Sequence, residues 1–193
     1  MKKPLIGFVG QGWIGKNYAN DFEKRGFRTV RYALEEPYRA NKEKIKECSI
    51  VFVAVPTPTT PKGFDSSIVQ SALASLSPGS TAVIKSTLVP GTTTLLQKKF
   101  PKLFVVHSPE FLSRGTAAYD AAHPLLNIVG IPKNTSAYRA RAKAVIAVLP
   151  KAPGKIVSSE TAELFKYVHN TSLFARSIYM NILFDLAKKL GVK

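Results

Sequence analysis

Leu5-Ile6-Gly7-Phe8-Val9-Gly10-Gln11-Gly12-Trp13-Ile14-Gly15 is the stretch that decides the fold. An apolar strand runs into Gly-x-Gly-x-x-Gly and out into a helical pattern over 14–25. Gly10 makes the tight turn, Gly12 lets backbone N–H groups approach a pyrophosphate, and Gly15 packs the helix against the strand. The helix N-terminus offers partial positive charge to the phosphates. Gly10, Gln11, Gly12, Trp13, Ile14 and Gly15 are therefore read as the floor of a dinucleotide site. The strand before them and the helix after them separate this motif from a chance run of glycines. The bland alternative is a strand–turn–helix that binds nothing.

Outward from this motif, strands and helices alternate, which predicts a Rossmann-type doubly wound parallel sheet with helices on both faces. Predicted strands cover 4–9, 28–32, 50–55, 81–85, 103–107, 127–130 and 155–157, most of them β-branched or aromatic. Helical patterns lie between them at 14–25, 42–47, 66–76, 91–99 and 136–149. From Ser159 to Leu190 nothing breaks a helix, and Glu160 and Glu163 near its start suit the macrodipole. At 1.5 Å per residue it is roughly 45 Å long, as long as a domain is wide. Leu164, Phe165, Val168, Phe174, Ile178, Ile182, Leu183, Leu186 and Leu190 recur along it. The helix is thus predicted to project and offer an apolar flank to a partner, the alternative being a helix lying across its own domain. The expected division is a dinucleotide-binding domain over 1–158 and a linking helix over 159–193.

Composition sets bounds on the rest. At 193 residues and 45% hydrophobic content the chain suits one packed α/β domain with an appendage. No apolar run approaches the ~20 residues of a membrane span, and the start lacks the apolar core of a secretory signal. The single cysteine, Cys48, excludes an internal disulfide and fits a reducing cytoplasm; its place before a strand reads as core. A net charge of +16 attracts polyanions. Yet the basic residues are scattered, as in Lys42-Glu43-Lys44-Ile45-Lys46-Glu47, and dinucleotides are anions too, so nucleic acid is not the expected partner. His107, His123 and His169 show no metal-ligand spacing, and no metal is predicted.

Three strand ends carry polar or stiffening residues. Val55-Pro56-Thr57-Pro58 follows the third strand, Lys85-Ser86-Thr87 with Pro90-Gly91-Thr92 the fourth, and Ser108-Pro109-Glu110-Phe111-Leu112 the fifth. All belong on the carboxyl edge, where doubly wound sheets bind ligands. In the long helix, Lys166 and Asn170 share one face, four residues apart, and together suit a substrate oxygen and its proton.

Taken in order, these motifs resemble the amino-terminal half of the UDP-glucose/GDP-mannose dehydrogenase family, over essentially the whole chain. Pro109-Glu110-Phe111-Leu112 and the pair Lys166 and Asn170 make the likeness specific. The resemblance implies NAD-dependent oxidation of the C6 hydroxyl of a nucleotide-sugar, of the UDP-glucose to UDP-glucuronate type, through a cysteine-bound thioester. It implies that Thr87 and Glu110 position water and assist hydrolysis, and that Lys166 and Asn170 bind the sugar and hold developing oxyanion charge. Phe111 and Leu112 would line the sugar pocket. Val55, Pro56, Thr57, Ser86 and Thr87 would join the glycine motif around the cofactor, and the long helix would form a homodimer interface.

The sequence also departs from that pattern. The family's cysteine and its partner aspartate lie in a glycine-rich segment that these residues lack, and Gly191-Val192-Lys193 reads as a domain cut from a longer protein. Arg31-Tyr32-Ala33 stands where NAD folds usually place an acid, with Glu35 and Glu36 slightly later, so NAD is favoured while NADP stays open near Arg31 and Arg39. Arg114 and Leu125-Leu126 replace residues common in the family. Two rivals remain: a β-hydroxyacid dehydrogenase using the Lys/Asn pair without a cysteine, and a non-catalytic NAD-binding dimerisation module.

Overall fold

β1 (Ile6–Val9) is buried along its whole length because it runs through the centre of a sheet covered on both faces. The computed structural model describes residues 3–192. β1 pairs in parallel with β2 (Thr29–Tyr32) on one side and β3 (Ile50–Val53) on the other. β6 (Thr81–Ile84) and β7 (Phe104–His107) continue the parallel ladder beyond β3. Between β3 and β6, the two-residue strands β4 (Thr59–Thr60) and β5 (Gly63–Phe64) form a small antiparallel hairpin. β8 (Asn127–Ile131) and β9 (Gly154–Ser158) complete the order β2-β1-β3-β6-β7-β8-β9. The direction of building reverses between β1 and β3, which opens a crevice at their carboxyl ends.

All seven predicted strands are present within two residues of their expected bounds. The expectation of a sheet parallel throughout needs correction. β8 meets β7 antiparallel, at His107 and Gly130, and β9 runs parallel to β8. A parallel return needs a long crossover packed over the sheet. The only helix between β7 and β8 is α4 (Ala117–Ala122), which packs on α1 (Trp13–Lys24) instead. The pattern at 42–47 is also not an α-helix. It forms short 3-10 turns at Arg39–Asn41 and Lys44–Glu47, of which only Ile45 is buried, too little apolar surface to hold a longer helix.

Alternate side chains of the central strands feed two cores. Ile6, Phe8, Ile50 and Phe52 pack beneath α1 and α5 (Ser136–Val148), with Phe8 5.3 Å from both Phe22 and Phe52. Val9, Val51, Val53 and Ile84 pack beneath α2 (Ser67–Ala74) and α3 (Thr92–Lys99). Cys48 belongs to this second core, and burial pushes its thiol up to about 11.

α6 (Ser159–Lys189) begins against β8, where a side chain on Gly130 would meet the Cβ of Ala162 at 2.6 Å. Only Ser159, Ala162, Glu163 and Lys166 of this helix are buried. Beyond them it projects, as expected, with Phe174 68% and Phe184 70% exposed. Among the described residues, no helix is long and apolar enough to cross a membrane.

Candidate functional site

The crevice between β1 and β3 holds a cavity of about 260 Å³ lined by Gly10, Gln11, Gly12, Val55 and Pro56, with Tyr32 to Glu35 along its β2 side. Gly10 has φ +91°, and a Cβ there would lie 2.2 Å from the Ala54 carbonyl oxygen. A Cβ on Gly15 would lie 2.0 Å from the Gly10 carbonyl oxygen, so both glycines are fixed by the fold itself. Gly12 differs, because a Cβ there would meet nothing within 4 Å. It is the N-cap of α1, with no side-chain cap and no acidic residue in the first turn. The open backbone N–H groups and the dipole of α1 thus face a space suited to a pyrophosphate. Gln11 Oε1 is buried there without a partner, a second polar group awaiting a ligand. Ile14 packs into the first core rather than lining the cavity, while Trp13 stays 41% exposed at its mouth.

At the end of β2, Ala33 offers no carboxylate, and Glu35 is the acid that lines the cavity. Arg31 is held elsewhere. Its guanidinium donates to Glu23 at 2.5 and 2.9 Å and to Asn20 Oδ1 at 2.8 Å, on α1. A ribose 2′-phosphate would have to break those contacts to recruit it.

The predicted rim forms, though not every hydroxyl is free for a ligand. Ser86 Oγ donates to the Val55 carbonyl oxygen at 2.7 Å and accepts from the Val55 N–H at 3.0 Å. Thr57 Oγ1 donates to the Thr87 carbonyl oxygen at 2.9 Å. Both residues join the loops after β3 and β6 and thereby shape the rim, and Thr87 sits half-buried upon it.

The structure brings Glu110 and Lys166 into contact across 56 positions of sequence. Lys166 Nζ donates to Glu110 Oε1 at 2.7 Å and to the Glu110 carbonyl oxygen at 2.6 Å. The other carboxylate oxygen accepts from the Leu112 N–H at 2.8 Å. Both side chains are buried, at 7% and 6% exposure, which strengthens their attraction above that of a surface pair. Phe111 lies beside them, with Lys166 Nζ 5.5 Å from its ring centre and Phe165 and His169 edge-on against it. Leu112 packs partly on the first core. Asn170, one turn past Lys166, remains exposed.

Sequence reasoning missed three residues here. Glu163 is not only a dipole partner. Its carboxylate accepts from the Gly91 N–H at 2.6 Å and from the N–H and hydroxyl of Thr93 at 2.7 and 2.6 Å, capping α3 from another helix. Burial pushes this carboxyl up, against the Thr93 and Gly91 hydrogen bonds that pull it down. The clue in the sequence was that α3 starts on Gly91, which has no side chain to cap it. Lys85 and His107, at the ends of β6 and β7, are also buried. A strand-end lysine gives no sign in sequence of being covered.

Comparison with known proteins agrees with this geometry. Residues 28–148 match the model of the UDP-glucose/GDP-mannose dehydrogenase family, NAD binding domain. The YtcA protein of Bacillus subtilis (strain 168) is 32% identical over 152 residues, covering 72% of this chain and 35% of its own. A UDP-glucose 6-dehydrogenase of Streptococcus pneumoniae is 31% identical over 147 residues, covering 70% and 37%. The chain therefore spans about a third of the length of these relatives. A solved UDP-glucose dehydrogenase of the archaeon Pyrobaculum islandicum superposes with a TM-score of 0.85 at 24% identity, over 99% of this chain and 54% of that one, a likeness of fold. With more than half of its residues matched by the family model, the chain belongs to the UDP-glucose/GDP-mannose dehydrogenase family, whose NAD binding domain it carries.

Proposed function

We propose that this chain supplies the cofactor side of a site that oxidises the C6 hydroxyl of a UDP-sugar, UDP-glucose first among them. The observation that carries the reading is the buried Lys166–Glu110 pair, a cation held at the carboxyl edge beside Phe111. When bound, NAD supplies the hydride acceptor. Gly12 and the α1 N-terminus hold its pyrophosphate, and Glu35 is the acid nearest its ribose. Lys166 and Asn170 hold sugar oxygens, and the Lys166 ammonium stabilises negative charge as the C6 oxygen loses its proton. Phe111 and Leu112 flank the sugar, while Thr87 and Glu110 orient a water for the later hydrolysis. The acyl step draws on a thiol other than Cys48, which is buried in the core with its ionisation suppressed.

Reduction of NAD, followed by absorbance in the gene product as naturally encoded, tests this reading. UDP-glucose is expected to drive it, and small 3-hydroxyacids are not. Turnover of a 3-hydroxyacid instead would make the Lys/Asn pair that of a β-hydroxyacid dehydrogenase. Cofactor binding without any turnover would leave only a binding module.

The apolar flank of α6 supports a homodimer in which two such helices pack together. Phe174, Ile178, Ile182 and Leu186 recur every fourth residue on its exposed part. Sedimentation velocity is expected to show a dimer that Phe174→Glu with Ile182→Glu converts to a monomer. A parent already monomeric at micromolar concentration would remove this assignment.

A further inference from the structure

Beside the Lys166–Glu110 pair lies a second buried lysine to which the roles above give no task. Lys85, the residue after β6, is 3% exposed. Its ammonium donates to Ser108 Oγ at 3.1 Å and sits 4.5 Å from the centre of the Tyr18 ring on α1. Among the described residues no carboxylate comes within ion-pair distance of it. One neutral hydrogen-bond partner and one aromatic face compensate an ammonium poorly for lost water. Burial accordingly pushes Lys85 down to about 7; the Glu110 carboxylate opposes that shift and the Lys166 cation adds to it.

The groups that face Lys85 come from three elements. Tyr18 belongs to α1, His107, Ser108 and Glu110 to β7 and its loop, and Lys166 to α6. Burial pushes the Tyr18 phenol up, so it stays neutral. Burial, and then the Lys85 charge, pushes His107 down to about 3, and both of its ring nitrogens are buried without partners. Glu110 is thus the one anion facing two lysines.

We propose that Lys85 is a positioning residue of this site, sharing the Glu110 carboxylate with Lys166 so that the Lys166 ammonium keeps uncompensated positive charge for a substrate oxygen. The proposal rests on the dehydrogenase reading. A Lys166–Glu110 pair alone is neutral and attracts an oxyanion weakly, whereas two ammoniums on one carboxylate leave a net positive charge in a low-dielectric pocket. An uncharged side chain of the same length would fill the space at lower energetic cost. A buried, incompletely compensated cation kept at a rim is the kind of feature that trades stability for function.

Lys85→Met removes the charge and keeps the volume. The folded value of Lys85 lies below its ordinary 10.5, so between the two the unfolded chain binds a proton that the folded chain does not. Parent stability therefore falls as pH drops from about 10.5 toward 7, and Lys85→Met lacks that fall and melts higher at pH 7. Turnover of UDP-glucose is expected to drop about tenfold in Lys85→Met, with NAD affinity unchanged and part of the loss restored in Lys85→Arg. A variant that melts higher yet turns over more slowly cannot owe its slowness to a damaged fold.

NMR of isotope-labelled lysine on the same chain gives a readout free of activity. The Lys85 midpoint should fall in Glu110→Gln and rise in Lys166→Met. Parent-like turnover in Lys85→Met, or a midpoint unmoved in both other variants, overturns the proposal; if Lys85→Met does not fold, the two midpoints decide. A parent that oxidises no UDP-sugar takes the dehydrogenase reading and this role down together, and the NMR shifts then still tell whether the three groups are coupled.

Discussion

Replacing Lys166 by methionine is expected to lower UDP-sugar turnover about a thousandfold while leaving NAD affinity within about twofold of the parent. The asymmetry follows from place. Lys166 touches Glu110 and overlies Phe111, whereas the cofactor cavity is lined by the ends of β1, β2 and β3. Losing an interaction made mainly in the transition state lowers kcat and leaves ground-state binding of the cofactor alone. The same change leaves the Glu110 carboxylate buried, with the Leu112 N–H as its remaining partner in the loop, which costs about 3–5 kcal/mol of folding stability. Adding Glu110→Gln should recover most of that stability without recovering turnover, because the double variant has no buried charge left unpaired at this point. Kinetics well below the melting temperature, beside a denaturant series, separate the two effects. Equal losses of turnover and NAD affinity would mean that Lys166 belongs to the cofactor pocket, and the catalytic assignment would be withdrawn.

Much of this fold could be read from the sequence because its strands are short β-branched runs buried on both faces. Ile50-Val51-Phe52-Val53 and Thr81-Ala82-Val83-Ile84 can hardly be anything else between turn residues. The glycine motif was equally legible, since a strand, a tight turn and a helix leave little freedom in where the chain goes. What escaped was decided by packing between distant segments. α4 has six residues and no apolar period, so nothing in its sequence shows that it packs on α1 and leaves β8 to meet β7 antiparallel. The hairpin of β4 and β5 has only two residues in each strand.

Side-chain partners behaved the same way. Arg31 read as a possible contact for a 2′-phosphate, yet a two-point contact with Glu23 holds it on α1. Lys85 read as one more cation on a basic chain until Tyr18, Ser108 and the loop of Glu110 were seen to enclose it. Residue types and spacing identify the rim. Which of its polar groups are already satisfied depends on contacts between residues such as Ser86 and Val55, 31 positions apart.

Alanine at each of the three motif glycines should separate folding from binding. Gly10→Ala places a Cβ 2.2 Å from the Ala54 carbonyl oxygen on a residue whose φ is +91°. Left-handed backbone and overpacking together cost about 4 kcal/mol, a fall of roughly 10 °C in melting temperature for a chain of this size. Gly15→Ala puts its methyl 2.0 Å from the Gly10 carbonyl oxygen, and neither backbone can yield without opening the β1–α1 turn, so a loss of similar size is expected. Gly12→Ala should behave oppositely. Its φ of −67° suits any residue and its Cβ meets no protein atom, so the variant should fold and melt close to the parent. The methyl group instead occupies the approach to the α1 N-terminus, and calorimetric titration is expected to show NAD binding weakened at least about tenfold, or 1.4 kcal/mol. In the parent, the same titration should give tighter binding for NAD than for NADP, because Arg31 is engaged by Glu23 and the acid on the β2 side repels a phosphate. A Gly12→Ala protein that binds NAD as the parent does would show that the open face of this turn is not where the pyrophosphate sits, and the cofactor would have to be moved to another edge of the sheet.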